Sequence, residues 1–258
     1  MVQLKDNEKS LHVEIQNIRN YKVIKSNDLI QKSRFQLSLQ EQKIILYLIS
    51  KIKPEDMELK EYVFEINGFF RLCGLVDGGG ENYKYIKQTL KELRDKSIWV
   101  TLDDGSETTM AWINSITMNK RSGAVKINID ERMKPYLLQL QERFTSYELL
   151  YTLAMRSQYS IRLYELFKSY EWRRRCKFDI DELKTIIFAN KYIRFPDFKR
   201  KVLDIAMREI NDLTDIGVEY VIMKNGRRYG GIEFLIRTKT NLDERLKAWG
   251  KIDEIIKL

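Results

Sequence analysis

The amino-acid sequence predicts an α+β protein in which one structural unit is used twice: helix, short strand, short helix, longer helix, then a β-hairpin. Three observations predict it. Phe64-Glu65-Ile66-Asn67 returns 114 residues later as Phe178-Asp179-Ile180-Asp181. Tyr83, Ile86, Leu90, Leu93 and Ile98 return 120 residues later as Leu203, Ala206, Ile210, Leu213 and Val218. The third observation is the shared order of helical and alternating patterns around both sets. It carries more weight than residue identity, because conservative pairs at helical spacing also arise by chance.

The elements follow in order. Residues 1–19 read as a polar arm, leading into an edge strand around Tyr21-Lys22-Val23-Ile24. Ser38-Leu-Gln-Glu41 has the spacing of a capping box, with Ile44, Ile45, Leu48 and Ile49 forming one buried stripe behind it. A strand over 62–66 and a short helix over 67–75, burying Phe69, Phe70 and Leu72, come next. Gly78-Gly79-Gly80 breaks the chain before an amphipathic helix striped by Tyr83, Ile86, Leu90 and Leu93. Residues 97–101, 108–116 and 124–129 read as a three-stranded meander, with turns at Asp104-Gly105 and Ser122-Gly123. A helix is expected over 131–140, with Pro135 near its start. The boundary between units falls near Glu142–Thr145, and Thr145-Ser-Tyr-Glu148 reads as a second capping box. The second unit then has a helix over 160–172, a strand over 177–180, a short helix over 181–189 and a long helix from Pro196. Strands over 218–223 and 231–238 flank Asn225-Gly226, a strong two-residue hairpin turn. The expected domains are 20–142 and 143–240, with a tail over 241–258. Their order is that of two tandem winged helices, a helix-turn-helix followed by a β-hairpin, related by pseudo-symmetry.

Composition narrows the function. The 258 residues carry 46 Lys+Arg against 37 Asp+Glu, a formal net charge of +9. Such an excess favours nucleic acid or an anionic surface as partner. Apolar runs such as Ile44 to Ile49 are too short to span a bilayer. No apolar signal region follows Met1, and two cysteines, Cys73 and Cys176, build no disulfide framework, so a cytoplasmic protein is expected. With His12 as its one histidine, the chain has no His–His metal motif and no credible triad. The glycine run at 78–80 lacks the spacing of a phosphate loop, and Asp103-Asp104 sits where a turn wants aspartate. No catalytic residue, metal or cofactor is expected. Trp99, Trp112 and Trp172 read as core.

The cations cluster in three places: Arg156, Arg162, Lys168, Arg173-Arg174-Arg175 and Lys177; Arg194, Lys199, Arg200 and Lys201; and Lys224, Arg227 and Arg228. In a winged helix the helix before the hairpin enters the major groove of duplex DNA. On the second long helix, Asp197, Lys201, Asp204 and Arg208 oppose the apolar stripe, with Arg200 on the flank. Cations in its first turns oppose the helix dipole, so an external anion explains them. Arginine there can also pair bidentately with guanine. Lys224, Arg227 and Arg228 place the charge of a wing against phosphates. Lys84, Gln88 and Lys91 make a less basic counterpart in the first unit, suited to auxiliary contact.

Four segments in order resemble one family. These are residues 25–43, Ser160-Ile-Arg-Leu-Tyr-Glu-Leu-Phe167, Phe198-Lys-Arg-Lys-Val-Leu-Asp204 through Glu209-Ile-Asn211, and Lys224-Asn-Gly-Arg-Arg228. Together they resemble the iteron-binding plasmid replication initiators, over roughly residues 20–240. The resemblance implies that the second unit reads a repeated origin sequence, the iteron. The first unit then contacts neighbouring backbone and can form a homodimer, in equilibrium with monomer. It further implies help in opening the origin, recruitment of the host initiator and replicative helicase, and repression of the initiator's own gene by dimers. Arg200 and Lys201 carry over best as DNA contacts, and Arg194, Asp197 and Phe198 less securely, while Lys199 is expected at phosphate as one of the first-turn cations. A winged-helix transcriptional regulator and, more remotely, a DNA-processing enzyme are the alternatives.

Overall fold

The computed structural model describes residues 21–53, 55–73, 80–226 and 228–256. The polar arm, Pro54, the Gly78-Gly79 break, Arg227 and the last two residues lie outside them. The first unit runs β1 (Lys22–Ser26), α1 (Asn27–Gln31), β2 (Ser33–Arg34), α2 (Leu39–Ile49), β3 (Glu61–Glu65), α3 (Ile66–Leu72) and α4 (Gly80–Arg94). Four strands follow: β4 (Ser97–Thr101), β5 (Glu107–Ala111), β6 (Ile113–Met118) and β7 (Ala124–Ile129). A 3-10 turn (Glu131–Met133) and one helical turn, α5 (Lys134–Leu137), lead into the second unit. That unit has β8 (Phe144–Glu148), α6 (Leu149–Ala154), α7 (Gln158–Tyr170), β9 (Arg175–Asp179) and α8 (Ile180–Ile186). A long helix comes next, in three parts: α9 (Phe195–Phe198), a π-turn (Lys199–Leu203) and α10 (Asp204–Leu213). The hairpin β10 (Ile216–Asn225) and β11 (Arg228–Thr238) precedes a last helix, α11 (Leu242–Ile256).

The repeat is present and longer than the sequence pattern indicates. Strand β3 and helix α3 reappear as β9 and α8 with the same lengths, 114 residues on. In addition β1–α1 recurs as β8–α6, with Asn27 and Leu149 opening the helices 122 residues apart. Strands β1 and β8 pair antiparallel, and at the centre Ile24 faces Ser146, also 122 residues apart. Equivalent residues meeting at the middle of an antiparallel pair define a local two-fold axis. Residues 145–148 are therefore strand rather than capping box. Thr145 and Tyr147 point inward and are buried.

The three-stranded meander is replaced by four strands in two sheets, ordered β2-β4-β5 and β3-β7-β6. Trp112, 1% exposed, sits at the corner between β5 and β6. Asp130 fixes that corner: its amide donates to the Trp112 carbonyl at 3.4 Å, and its carboxylate accepts from the Ala111 amide at 3.2 Å. The second unit's sheet has the order β9-β11-β10. Sheet β3-β7-β6 matches it strand for strand, so β6–β7 is the first unit's wing and β4–β5 is an added hairpin.

The capping box at Ser38 is formed: the Ser38 amide donates to Glu41 at 2.6 Å and the Glu41 amide to Ser38 Oγ at 3.4 Å. Helix α2 has no single buried stripe, because every residue from Glu41 to Ile49 is buried. The Lys96 ammonium, 2.7 Å from Glu41 Oε2, partners the buried carboxylate. The helix expected over 131–140 stops at Leu137, where the next residue turns extended. Trp112 is core as expected, whereas Trp99 and Trp172 are 47% and 73% exposed. Both cysteines are buried and free. The tail forms α11, which buries Ala248, Ile252 and Ile256 and donates from Trp249 Nε1 to Tyr151 Oη at 3.3 Å. Among the described residues no helix is long and apolar enough to cross a membrane.

Candidate nucleic-acid interface

The long helix of the second unit buries Phe195, Phe198, Val202, Leu203, Ala206, Met207, Ile210 and Leu213. Pro196 fits its first turn, where no amide hydrogen is needed. Arg200, Lys201, Asp204 and Arg208 remain exposed along one side, as the helical spacing predicts. Phe198 does not join them. It is 0% exposed and belongs to the core, so it is a packing residue and not a DNA contact.

The π-turn changes the local geometry. The Asp204 amide donates to the Lys199 carbonyl five residues back. This step brings side chains five apart into register. Lys199 Nζ lies 2.8 and 2.9 Å from the two Asp204 carboxylate oxygens. The Tyr220 hydroxyl, from β10, donates to Asp204 Oδ1 at 2.9 Å. Partial burial disfavours the Asp204 carboxylate, but the bonds from Lys199 and Tyr220 outweigh it and hold its pKa below the ordinary value. The same bond to Asp204 pushes the Lys199 ammonium up. Arg200 lies 3.5 Å from Asp197. Lys201 and Arg208 have no carboxylate partner among the described residues. Arg194 is exposed at the helix N-cap.

The wing joins the start of this helix. Tyr229 stacks on Phe195 with centroids 4.3 Å apart, and Lys224 Nζ lies 5.7 Å from the centre of the Tyr229 ring. Lys224 is exposed. Asn225 still pairs with Arg228, so Gly226, at φ 62°, opens the turn one residue later than Asn225-Gly226 suggests. Arg227 and the Arg228 side chain lie outside the described residues. Behind the helix, Glu209 accepts from the Arg156 and Ser157 amides at 3.0 and 3.3 Å and ties it to the start of α7.

In the first unit, Lys84, Gln88 and Lys91 are exposed along α4, as is Lys87. Gln88 donates to Glu92 at 2.8 Å, and the three lysines have no carboxylate partner among the described residues. The wing β6–β7 adds two residues that the sequence reading passed over, Lys120 and Arg121, both exposed at its tip. Met118-Asn-Lys-Arg-Ser-Gly123 shares the polar, basic, glycine-containing turn chemistry of Met223-Lys-Asn-Gly226, and that likeness is the signal for them. The tip of the added hairpin β4–β5 is acidic instead, with Asp103, Asp104 and Glu107. Of the first cation cluster, Arg162 and Lys168 are not surface charges. Arg162 is 3% exposed, over the Phe35 ring, and Lys168 is paired with Glu171 and Asp215. Arg173, Arg174 and Arg175 are exposed, with Arg173 over the Trp172 ring.

Two exposed helices, each beside a hairpin with cations near its tip, make a surface suited to duplex DNA. Residues 22–168 match the family description "Initiator Replication protein, WH1" and residues 179–236 match "Initiator Rep protein, WH2". An Escherichia coli "Replication initiation protein" is 26% identical over 234 residues, covering 86% of this chain and 71% of its own length. The "PI protein" of Escherichia coli is 30% identical over 141 residues, covering 47% of this chain and 46% of its own. A crystal structure of domains 2 and 3 of RctB aligns with a TM-score of 0.43 at 10% identity, covering 80% of this chain and 85% of that one. The chain belongs to the family of initiator replication proteins, with both of its winged-helix modules, WH1 and WH2.

Proposed function

We propose that this protein initiates plasmid replication by binding repeated origin sequences in double-stranded DNA, without catalysis of its own. One observation carries the reading: each unit sets a helix whose exposed lysines or arginines include ones with no carboxylate partner among the described residues beside a hairpin with an exposed cation near its tip, Lys120 and Arg121 in the first unit and Lys224 in the second. The second unit, 143–240, reads the repeat through Arg200, Lys201 and Arg208, with Arg194 and Asp197 at the helix start. Lys224, Arg227 and Arg228 hold the flanking phosphates. The first unit, 20–142, adds phosphate contacts from Lys84, Lys91 and the wing residues Lys120 and Arg121. Bound copies help open the origin and recruit the host initiator and replicative helicase. A homodimer, in equilibrium with the monomer, represses the initiator's own gene. The protein works in the cytoplasm, away from membranes.

The test is a plasmid that carries the origin but lacks the initiator gene. Supplying this chain in trans should restore replication, and Lys201→Ala should abolish it while leaving the protein folded. Replication without the chain would overturn the proposal.

A further inference from the structure

The negative charge at Asp204 is out of place on a surface meant for a polyanion. It lies on the exposed side of the long helix between Lys201 and Arg208, with its side chain 45% exposed. A carboxylate there repels phosphate, and although Lys199 and Tyr220 donate to it, nearly half of its side chain still faces outward. Its acceptor capacity is nearly filled. Oδ1 accepts from both Lys199 and Tyr220, and Oδ2 accepts from Lys199. Each carboxylate oxygen offers about two acceptor positions, so one remains, on Oδ2. In the major groove, donors come from exocyclic base amines, and aspartate suits the N4 amine of cytosine.

The π-turn makes the arrangement possible. In a regular α-helix, residues five apart do not face each other. The five-residue hydrogen bond from Asp204 to Lys199 stacks them, and π-turns of this kind are common at functional sites. Tyr220 ties the pair to the wing strand, so helix and wing share it. The carboxylate also neutralises Lys199, which removes that cation from indiscriminate phosphate contact.

We infer that Asp204 is a specificity-determining residue, which accepts a hydrogen bond from a cytosine amine in the target duplex and, by holding Lys199, suppresses binding to other sequences. The inference rests on the duplex-reading function proposed above.

Its test compares wild type, Asp204→Asn and Tyr220→Phe in selection of duplexes from a random pool, and in binding to the selected and to random duplexes across a salt series. For Asp204→Asn the preference at one C·G pair should relax roughly tenfold, within the range of single base-pair effects. Binding to random duplex should tighten, with a log–log salt slope steeper by about 0.9 as Lys199 becomes free. Tyr220→Phe keeps the carboxylate, so it should weaken the same preference less; it also carries the test if Asp204→Asn melts early. Variants that keep the wild-type preference at every position and the wild-type affinity for random duplex would overturn the inference alone. A wild-type chain that enriches no sequence would overturn the duplex-reading function and this assignment together.

Discussion

Glu209, on the long helix of the second unit, accepts a hydrogen bond from the Arg156 amide at 3.0 Å, at the start of the helix that packs behind it. Its second oxygen takes the Ser157 amide. A carboxylate bound to free amides at a helix start stabilises that end through the helix dipole and the bonds themselves. Glu209→Ala should therefore cost about 1 kcal/mol of stability. Urea unfolding measures it, and an unchanged midpoint would contradict this role.

A second prediction concerns the seam between the units. Lys25 on β1 is ion-paired with Glu165 on α7, and Arg162 and Tyr147 join them, all buried. Burial lowers the Lys25 pKa, opposed by the Glu165 charge. Glu165→Gln leaves two buried cations without their carboxylate and should destabilise the fold by about 3–5 kcal/mol. Calorimetric or denaturant unfolding reads this directly. A loss below about 1 kcal/mol would show that the cluster does not hold the units together.

The third prediction is a pH dependence. Hydrogen bonds from Arg132, with further bonds from the Arg132 and Ala111 amides, outweigh burial and hold the Asp130 carboxyl below its ordinary pKa of 3.8. A group whose folded pKa is depressed stabilises the fold above its unfolded pKa and loses that contribution as pH falls through the folded value. Asp130→Asn should destabilise the protein at neutral pH. The difference from wild type should begin to shrink as pH falls to about 3.8 and vanish below the depressed value. A gap independent of pH would contradict the assignment.

The wings separate phosphate contacts from base contacts. Replacing Lys120 and Arg121 by alanine should lower affinity about equally for selected and random duplexes, and flatten the log–log salt slope by nearly two. Lys201→Ala should instead cost about 1–3 kcal/mol on the selected duplex and much less on random sequence. Fluorescence anisotropy over a salt series distinguishes the two patterns.

Much of this fold is legible in the sequence because its stripes are local. The apolar spacing of Ile86, Leu90 and Leu93, and of Ala206, Ile210 and Leu213, survives into buried faces. The Ser38 capping box forms because its partners are three residues apart. Thr145-Ser-Tyr-Glu148 has the same spacing yet is a strand, since its partner is β1, over a hundred residues away, and no local window contains that pairing. The first wing was hidden by continuous β-patterned sequence, which does not reveal that the chain turns a corner at Trp112 between two sheets. The outward side of the long helix was readable, because the exposed residues keep helical spacing through Arg200, Asp204 and Arg208. The π-turn was not. Burial of both Val202 and Leu203 fits a wide regular stripe as well as a widened turn. The resemblance places Phe198 among the DNA contacts, but an aromatic at the spacing of Val202 and Ala206 belongs with the buried stripe.

Selection of bound duplexes from a random pool at moderate salt tests the central claim most directly. Two helices with their wings, read side by side, predict enrichment of one motif about two helical turns long. The same motif should recur in direct repeat at the cognate origin. Binding that tracks ionic strength alone, with no sequence enriched, would contradict the account.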